Sequence, residues 1–327
     1  MEAVLLSDRA GRRVPRGMPA LCEPPAGEAG VVVLAVVVAW VTDRHPTLLP
    51  VWAPWDFSWP AFLAAGFGLL WFARGLLRTA ASARMPPWRR RWCFLIGFGS
   101  IYAVLLTRFE YLAQHMFFLN RMQHAVLHHI GPFLIALSWP GATIARGMPA
   151  PLRRCCEAAA VRKLLRPFQQ PMLAVLLFEG LLFFWLIPPI TFPAMLDWRL
   201  YEIMNASMVI DGLLFWFLVL DPRPFPAAPI GFFTRLCLGF LIIFPQIGVG
   251  TAIGLAQRDL YPSFSLCGRV FDDIGPVLDQ QIGALVLWVP AGMMSAFAAV
   301  LIMGRMFHDD DRAARISFPA GRVEGAS

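Results

Sequence analysis

Three of the six histidines in this 327-residue chain, His124, His128 and His129, fall within six residues of an apolar stretch. Imidazole is costly to bury in a bilayer, so ionisable residues inside an apolar span indicate a functional site by default. On an α-helix His124 and His128 share one face, whereas His129 is rotated by about 100° from His128. Because imidazole is the commonest metal ligand of proteins, the cluster predicts a metal site.

A second apolar segment carries Met204, Met208 and Asp211, whose spacing of four and three residues places them on one helical stripe beside Asn205. A third segment begins at Asp279. Imidazole with thioether favours copper, and imidazole with carboxylate favours iron, zinc or copper(II). The residue types therefore favour a metal held between three helices.

Several of these residues also have a structural interpretation. The Met stripe could serve packing alone, Asp279 could cap the start of a helix, and His129 could donate to a backbone carbonyl. Pro132 predicts a kink that frees a carbonyl in the histidine segment. Glu179, in the middle of another apolar segment, is expected to pair with a neighbouring polar group.

The pattern His124-x-x-x-His128-His129 is similar to a histidine box of the membrane desaturases and hydroxylases. Those di-iron enzymes carry several such boxes, with about eight histidines in total, on the cytoplasmic side. This chain has six histidines and one box. We therefore expect no enzymatic activity of this type, and we assign no catalytic residue.

The composition indicates a membrane protein, with 58% hydrophobic and 15% charged residues and a mean hydropathy of +0.60. A transmembrane helix needs about 20 apolar residues. The sequence predicts an all-α fold, a polytopic membrane helix bundle of seven transmembrane helices: Trp59–Leu77, Trp92–Tyr111, Leu119–Trp139, Met172–Ile187, Ile203–Leu220, Phe232–Leu255 and Gln281–Met303. A shorter apolar run, Ala29–Val41, follows four arginines and is either a signal-peptide core or an extra span.

The basic residues predict the orientation. If the first of these seven spans runs inward, 22 of the 28 Lys and Arg residues lie in inner segments, as the positive-inside rule requires. The net charge of +7 then reflects membrane topology, and no nucleic-acid partner is expected. We predict a basic N-terminal part and outer loop at 1–57, a membrane domain at 58–306 and a disordered cytoplasmic tail at 307–327. The polar cluster faces the periplasm in this orientation.

From about Trp52 to Phe307 the sequence resembles the CtaG family of bacterial cytochrome c oxidase assembly factors. The resemblance rests on five segments: Gln114–Phe118, Arg121–His124, Leu127–Leu134, Met204–Phe217 and Asp279–Gly283 with Trp288. It implies a polytopic helical protein that assembles a haem-copper oxidase, with a suspected part in copper delivery. Asn120 and Asn205 stand where many members of the family have histidine.

We therefore expect an inner-membrane assembly factor that binds copper transiently near its periplasmic face and serves an oxidase subunit in the lipid bilayer. A scaffold for oxidase assembly that handles no metal, and a copper or cation transporter, are the alternatives. The candidate ligands are His124 and His128, then His115, Met208, Asp211 and Asp279, with His129 and Asn120 supporting them.

Overall fold

A computed structural model describes residues 26–80, 85–266 and 268–317, and in these ranges the chain forms helices and no strand. The all-α prediction is confirmed. The helices are α1 Ala26–Arg44, α2 Trp59–Ala80, α3 Trp88–Leu105, α4 Arg108–Ala113, α5 Phe117–His124, α6 Gly131–Ser138, α7 Gly141–Gly147, α8 Ala150–Cys156, α9 Ala159–Leu165, α10 Pro171–Leu186, α11 Pro188–Leu196, α12 Trp198–Val219, α13 Phe232–Leu241, α14 Ile243–Leu255 and α15 Pro276–Ser317. A π-helical segment, Ala125–Ile130, joins α5 to α6.

Five of the described helical stretches are long and apolar enough to cross a membrane: α1, α2, α12, Phe232–Leu255 and the first part of α15. The pair α10 and α11, bent by 75°, would make a sixth. A polytopic membrane protein is thus confirmed. The predicted spans Trp92–Tyr111 and Leu119–Trp139 are helical as well, as α3 and as α5 to α6, but they are shorter or interrupted. Seven crossings therefore remain a prediction.

Two predicted boundaries change. The apolar run at Ala29–Val41 belongs to the 19-residue helix α1, which packs against α2 and is long enough for the extra span. At the other terminus α15 continues to Ser317, beyond residue 306, where the membrane domain was predicted to end. The four arginines before α1 and the tail at 318–327 lie outside the described residues.

Successive long helices run in alternate directions, so their termini meet at two ends of the bundle. At one, which we call the Asp279 end, the Asp279 carboxylate accepts from the amides of Phe117 and Phe118. At the other, the Arg235 end, the Arg235 guanidinium donates to the carbonyls of Asp221 and Ile230. By the positive-inside prediction, the Asp279 end faces the periplasm.

The central helix of the bundle is α12. Its buried side chains recur every three or four residues from Tyr201 to Val219, which is the spacing of one helical face. This face lies between two apolar clusters: one near the Asp279 end includes Leu127, Met204 and Met208, and one toward the Arg235 end includes Phe178, Phe215 and Trp216. The histidine segment lies against the same face.

Helices α2 and α7 touch backbone to backbone at two glycines. A Cβ atom on Gly75 would stand 1.9 Å from the Thr143 carbonyl oxygen, and one on Gly147 would stand 1.8 Å from the Trp71 carbonyl oxygen. Small residues allow such close approach between membrane helices. The contact holds α7 against the end of α2, next to the Arg235 end of the bundle.

Candidate functional site

Two histidines of the cluster, His128 and His129, lie on a π-helical turn that directly follows His124. The Gly131 amide donates to the Val126 carbonyl, five residues earlier, and Pro132 follows. π-bulges are rare and occur frequently at functional sites. A wider turn also changes the angular position of each residue, so the α-helical spacing that placed His124 and His128 on one face does not describe this turn. The sequence predicted a kink at Pro132, and the structure has this π-helical turn directly before it.

Gly212 of α12 allows the histidine segment to come close. A Cβ atom on Gly212 would stand 2.5 Å from the His128 carbonyl oxygen and 2.9 Å from the Pro132 ring. In a regular α-helix the His128 carbonyl would accept from the amide of residue 132, but Pro132 has no N–H to donate. The contact places His128 beside Asp211, the neighbour of Gly212.

His128 is fully buried, and its ring makes three specific contacts. Its Nε2 lies 3.4 Å from Oδ2 of Asp211, its ring stacks on Phe178 with 3.8 Å between centroids, and the His129 ring lies edge-on at 5.0 Å. The Nδ1 atom is buried without a hydrogen-bonding partner among the described residues. If Nε2 carries its proton toward Asp211, Nδ1 keeps the lone pair that a metal needs.

His124 and His129 are both 2% exposed, and neither ring nitrogen of either residue has a hydrogen-bonding partner in the described part of the chain. The proposed bond from His129 to a backbone carbonyl is therefore not formed. The His129 ring instead meets Phe178 and Trp216 edge-on. Most buried polar groups in proteins are hydrogen-bonded, so these imidazoles call for an explanation.

The predicted stripe on α12 faces the interior. Met204 and Met208 are fully buried, and Asn205 and Asp211 are 3% and 4% exposed. Neither side-chain polar atom of Asn205 has a hydrogen bond among the residues described. The α12 stripe therefore supplies thioether, amide and carboxylate groups to the same region as the histidines.

Two candidate ligands at the Asp279 end, His115 and Asp279, already have hydrogen-bonding partners within the protein. His115 is half-buried; its Nδ1 lies 2.8 Å from the Tyr111 carbonyl, and its ring lies tilted by 43° against the Tyr111 ring, with 4.2 Å between centroids. Asp279 bonds the first two amides of α5 and forms an ion pair with Arg269. Asp279 thus caps a helix, as one interpretation of the sequence proposed, but the helix is α5 and not its own helix, α15.

The described residues contain no group of three His, Cys, Asp or Glu side chains that could hold a metal ion. His124, His128 and Met208, two imidazoles and one thioether, stay predicted copper ligands. They fit copper(I) by ligand chemistry, since imidazole and thioether are donors that it accepts. The unpartnered nitrogens of both histidines support this fit.

Sequence reasoning missed a buried arginine one helical turn from His124. Arg121 is 1% exposed; its Nη2 donates to Oδ1 of Asn120 and its guanidinium lies over the Phe117 ring, 5.1 Å from the centroid. Its Nε and Nη1 atoms make no hydrogen bond within the described residues. The signal in the sequence is the position of Arg121 inside the predicted span Leu119–Trp139. This charge lies within electrostatic range of His124.

Two further pairs complete the buried polar region. The Tyr201 hydroxyl donates to Oε1 of Gln123, whose amide donates to the Val104 carbonyl. Glu179 was expected to pair with an unspecified polar group, and this group is Gln246, whose Nε2 donates to Oε1 of Glu179 at 2.7 Å. Both pairs are joined across different helices, so they fix the helices around the histidines.

Comparison with known proteins gives one family. Its sequence profile, described as cytochrome c oxidase caa3 assembly factor (Caa3_CtaG), matches residues 70–309 and so includes every helix that carries the polar residues above. No curated protein and no solved structure matches the chain. Since the profile covers well over half of the sequence, the chain belongs to the cytochrome c oxidase caa3 assembly factor family.

Proposed function

We propose that this membrane protein binds copper transiently at His124, His128 and Met208 and delivers it to an oxidase subunit during assembly. Family membership supplies the oxidase and the membrane context. The observation that supports the copper step is the set of fully or almost fully buried imidazoles, each with at least one ring nitrogen that lacks a hydrogen-bonding partner among the described residues.

The energetics favour a ligand at these nitrogens. A buried polar atom without a partner costs about 1–3 kcal/mol, and His124, His128 and His129 contribute several such atoms. A soft cation that accepts the imidazole lone pairs would offset this cost. Asp211 supports the proposal because a carboxylate beside a ligating histidine fixes its tautomer and ring orientation.

Weak binding suits delivery. Two histidines and one thioether are an incomplete set for copper storage, and the Arg121 charge near His124 opposes any cation placed there. Asn120 and Asn205, in place of further imidazoles, keep the ligand set small. A copper ion held in this way exchanges readily, as transfer to an acceptor requires.

The decisive experiment measures copper(I) binding by the purified protein in competition with a chromophoric chelator. We expect affinity tighter than micromolar in the unaltered protein and loss of binding in His124→Ala with His128→Ala. A matched variant, His45→Ala with His308→Ala, alters two exposed histidines and should bind as the unaltered protein does. Failure of the unaltered protein to reach micromolar affinity would overturn the copper proposal.

A second experiment connects binding to assembly. In cells that lack the gene, the His124 and His128 double variant should yield an oxidase with normal haem spectra but reduced copper content. An oxidase that is fully active with this variant, together with co-purification of an oxidase subunit, would instead establish a scaffold that handles no metal. Copper flux in proteoliposomes would point to a transporter.

A further inference from the structure

A cavity of about 190 Å³ opens at the Arg235 end of the bundle, away from the histidines. Its volume far exceeds the roughly 10–15 Å³ that holds one water molecule. Parts of α2, α3, α6 and α7 surround it, and its lining includes Arg90 and Arg91 near the start of α3 and Arg146 of α7.

The lining carries three positive charges and no acidic residue. Within the described residues no carboxylate lies within ion-pair distance of Arg90, Arg91 or Arg146. The Nε atom of Arg91 is buried without a hydrogen-bonding partner there, and Arg146 makes one long bond, 3.4 Å, to the Thr79 hydroxyl. Nearby Arg223 is different, because the Asp221 carboxylate pairs with it at 2.6 Å. Among the described residues, therefore, no carboxylate pairs with the arginines of this cavity.

Aromatic residues place this cavity at the depth of lipid headgroups. Trp88 and Trp92, at the start of α3, are 61% and 56% exposed on the outside of the bundle. Exposed tryptophans of membrane proteins lie at the membrane–water interface. Arg90 and Arg91 lie between them in sequence, so we expect their guanidinium groups at the level of the lipid phosphates.

We propose that this cavity binds the headgroup phosphate of an anionic phospholipid. Arginine guanidinium groups donate paired hydrogen bonds to phosphate oxygens, and Arg90, Arg91 and Arg146 converge on one space that can hold such a group. Basic pockets between membrane helices bind anionic headgroups in this way. The bound lipid would join α3 to α7 and stabilise the Arg235 end, whether or not the protein carries copper.

The test uses the purified full chain in neutral detergent, titrated with phosphatidylglycerol and separately with phosphatidylcholine, with bound lipid counted by native mass spectrometry. We expect at least tenfold tighter binding of phosphatidylglycerol. The triple variant Arg90→Gln, Arg91→Gln, Arg146→Gln should lose at least tenfold in this affinity. The control Arg154→Gln, Lys163→Gln, Arg166→Gln removes the same charge from exposed positions outside the cavity and should change it less than threefold.

Three results would overturn the proposal. Equal affinity of the unaltered protein for the two lipids would do so without any variant, even if the triple variant failed to fold. Equal losses in the triple variant and the control would indicate general charge attraction. Full displacement of the lipid by millimolar inorganic phosphate would identify a site for free phosphate.

Discussion

Two fully buried arginines, Arg121 and Arg235, differ in what their guanidinium groups contact. Arg235 donates to three backbone carbonyls, those of Asp221, Arg223 and Ile230. Arg121 donates to Asn120 and lies over an aromatic ring, and two of its nitrogens have no partner among the described residues. We therefore expect Arg235 to stabilise the fold, whereas the hydrogen bonds of Arg121 do not offset the desolvation cost of burying its charge.

Replacing Arg121 by Met should therefore leave the melting temperature unchanged or raise it, since removal of an unpaired buried charge is often neutral or stabilising. If copper binds at His124, its affinity should rise about tenfold, because a like charge one turn away is gone. Thermal unfolding and chelator competition measure the two effects. Arg235→Met is the matched comparison and should unfold at a markedly lower temperature. Equal destabilisation by the two substitutions would contradict this assignment.

The close contact at Gly212 gives a second test at single-residue scale. Gly212→Ala places a Cβ atom against the His128 carbonyl and should destabilise the protein by about 1–3 kcal/mol through overpacking. Gly180→Ala, at an exposed helical glycine whose Cβ would meet nothing within 4 Å, should be neutral or slightly stabilising. Thermal unfolding in detergent compares the two. A Gly212→Ala variant as stable as Gly180→Ala would show that α12 does not approach the histidine turn this closely.

Among the elements, the sequence predicted the α12 stripe because apolar and polar residues there follow the helical period without interruption. It did not predict the π-helical turn at Ala125–Ile130, since no residue type specifies a π-bulge and Pro132 alone indicates only an irregularity. The sequence therefore could not predict which neighbouring helix the His128 side chain faces. The bend at Ile187, between α10 and α11, was missed because the apolar pattern of Met172–Ile187 ends at consecutive prolines, Pro188 and Pro189. Such prolines allow either a stop or a bend.

The first turn of α5 depends on Asp279 of another helix. Asp279→Asn should cost about 3 kcal/mol, because it removes the charge that pairs with Arg269 and weakens the bonds to two helix amides. Asp272→Asn, at an exposed position in the preceding loop, should cost little. Denaturation curves of the two variants give the difference. Similar stability of both variants would show that Asp279 does not hold the two helices together.

At the scale of the whole molecule, the sequence correctly predicted an all-α membrane protein with several apolar helices, and α1 adds a helix of spanning length. Apolar length shows which helices can cross a membrane, which is why these helices were readable from the sequence. The orientation, which rests on the distribution of arginines, stays a prediction. The assembly of side chains from α5, α10, α12 and α14 was not readable, because helix neighbours in a bundle depend on packing. Gln246 as the partner of Glu179 is the clearest case.

Orientation is testable with reporter fusions. A fluorescent protein fused after His308 should fluoresce, as expected of a cytoplasmic site, and so should one in the loop near Phe225. Alkaline phosphatase should be active when fused near Gln114, Asp197 or Gln257, which the excess of inner arginines places in the periplasm. The opposite pattern would put the histidine cluster in the cytoplasmic leaflet and remove the argument for delivery at the periplasmic side.

The hydrogen bond between Asp279 and the Phe117 amide joins residues that are 162 positions apart in the sequence. It can therefore form only late in synthesis of the chain. At about 5–20 residues per second, the ribosome needs roughly 8–32 s to make the chain between these partners. Until then α5 has no side-chain cap, since Met116 before it forms none. We therefore expect α5 to remain without this cap until α15 has been synthesised. A chain ending before Pro276 should leave the Phe117 and Phe118 amides open to hydrogen exchange, so completion of synthesis would itself complete the core.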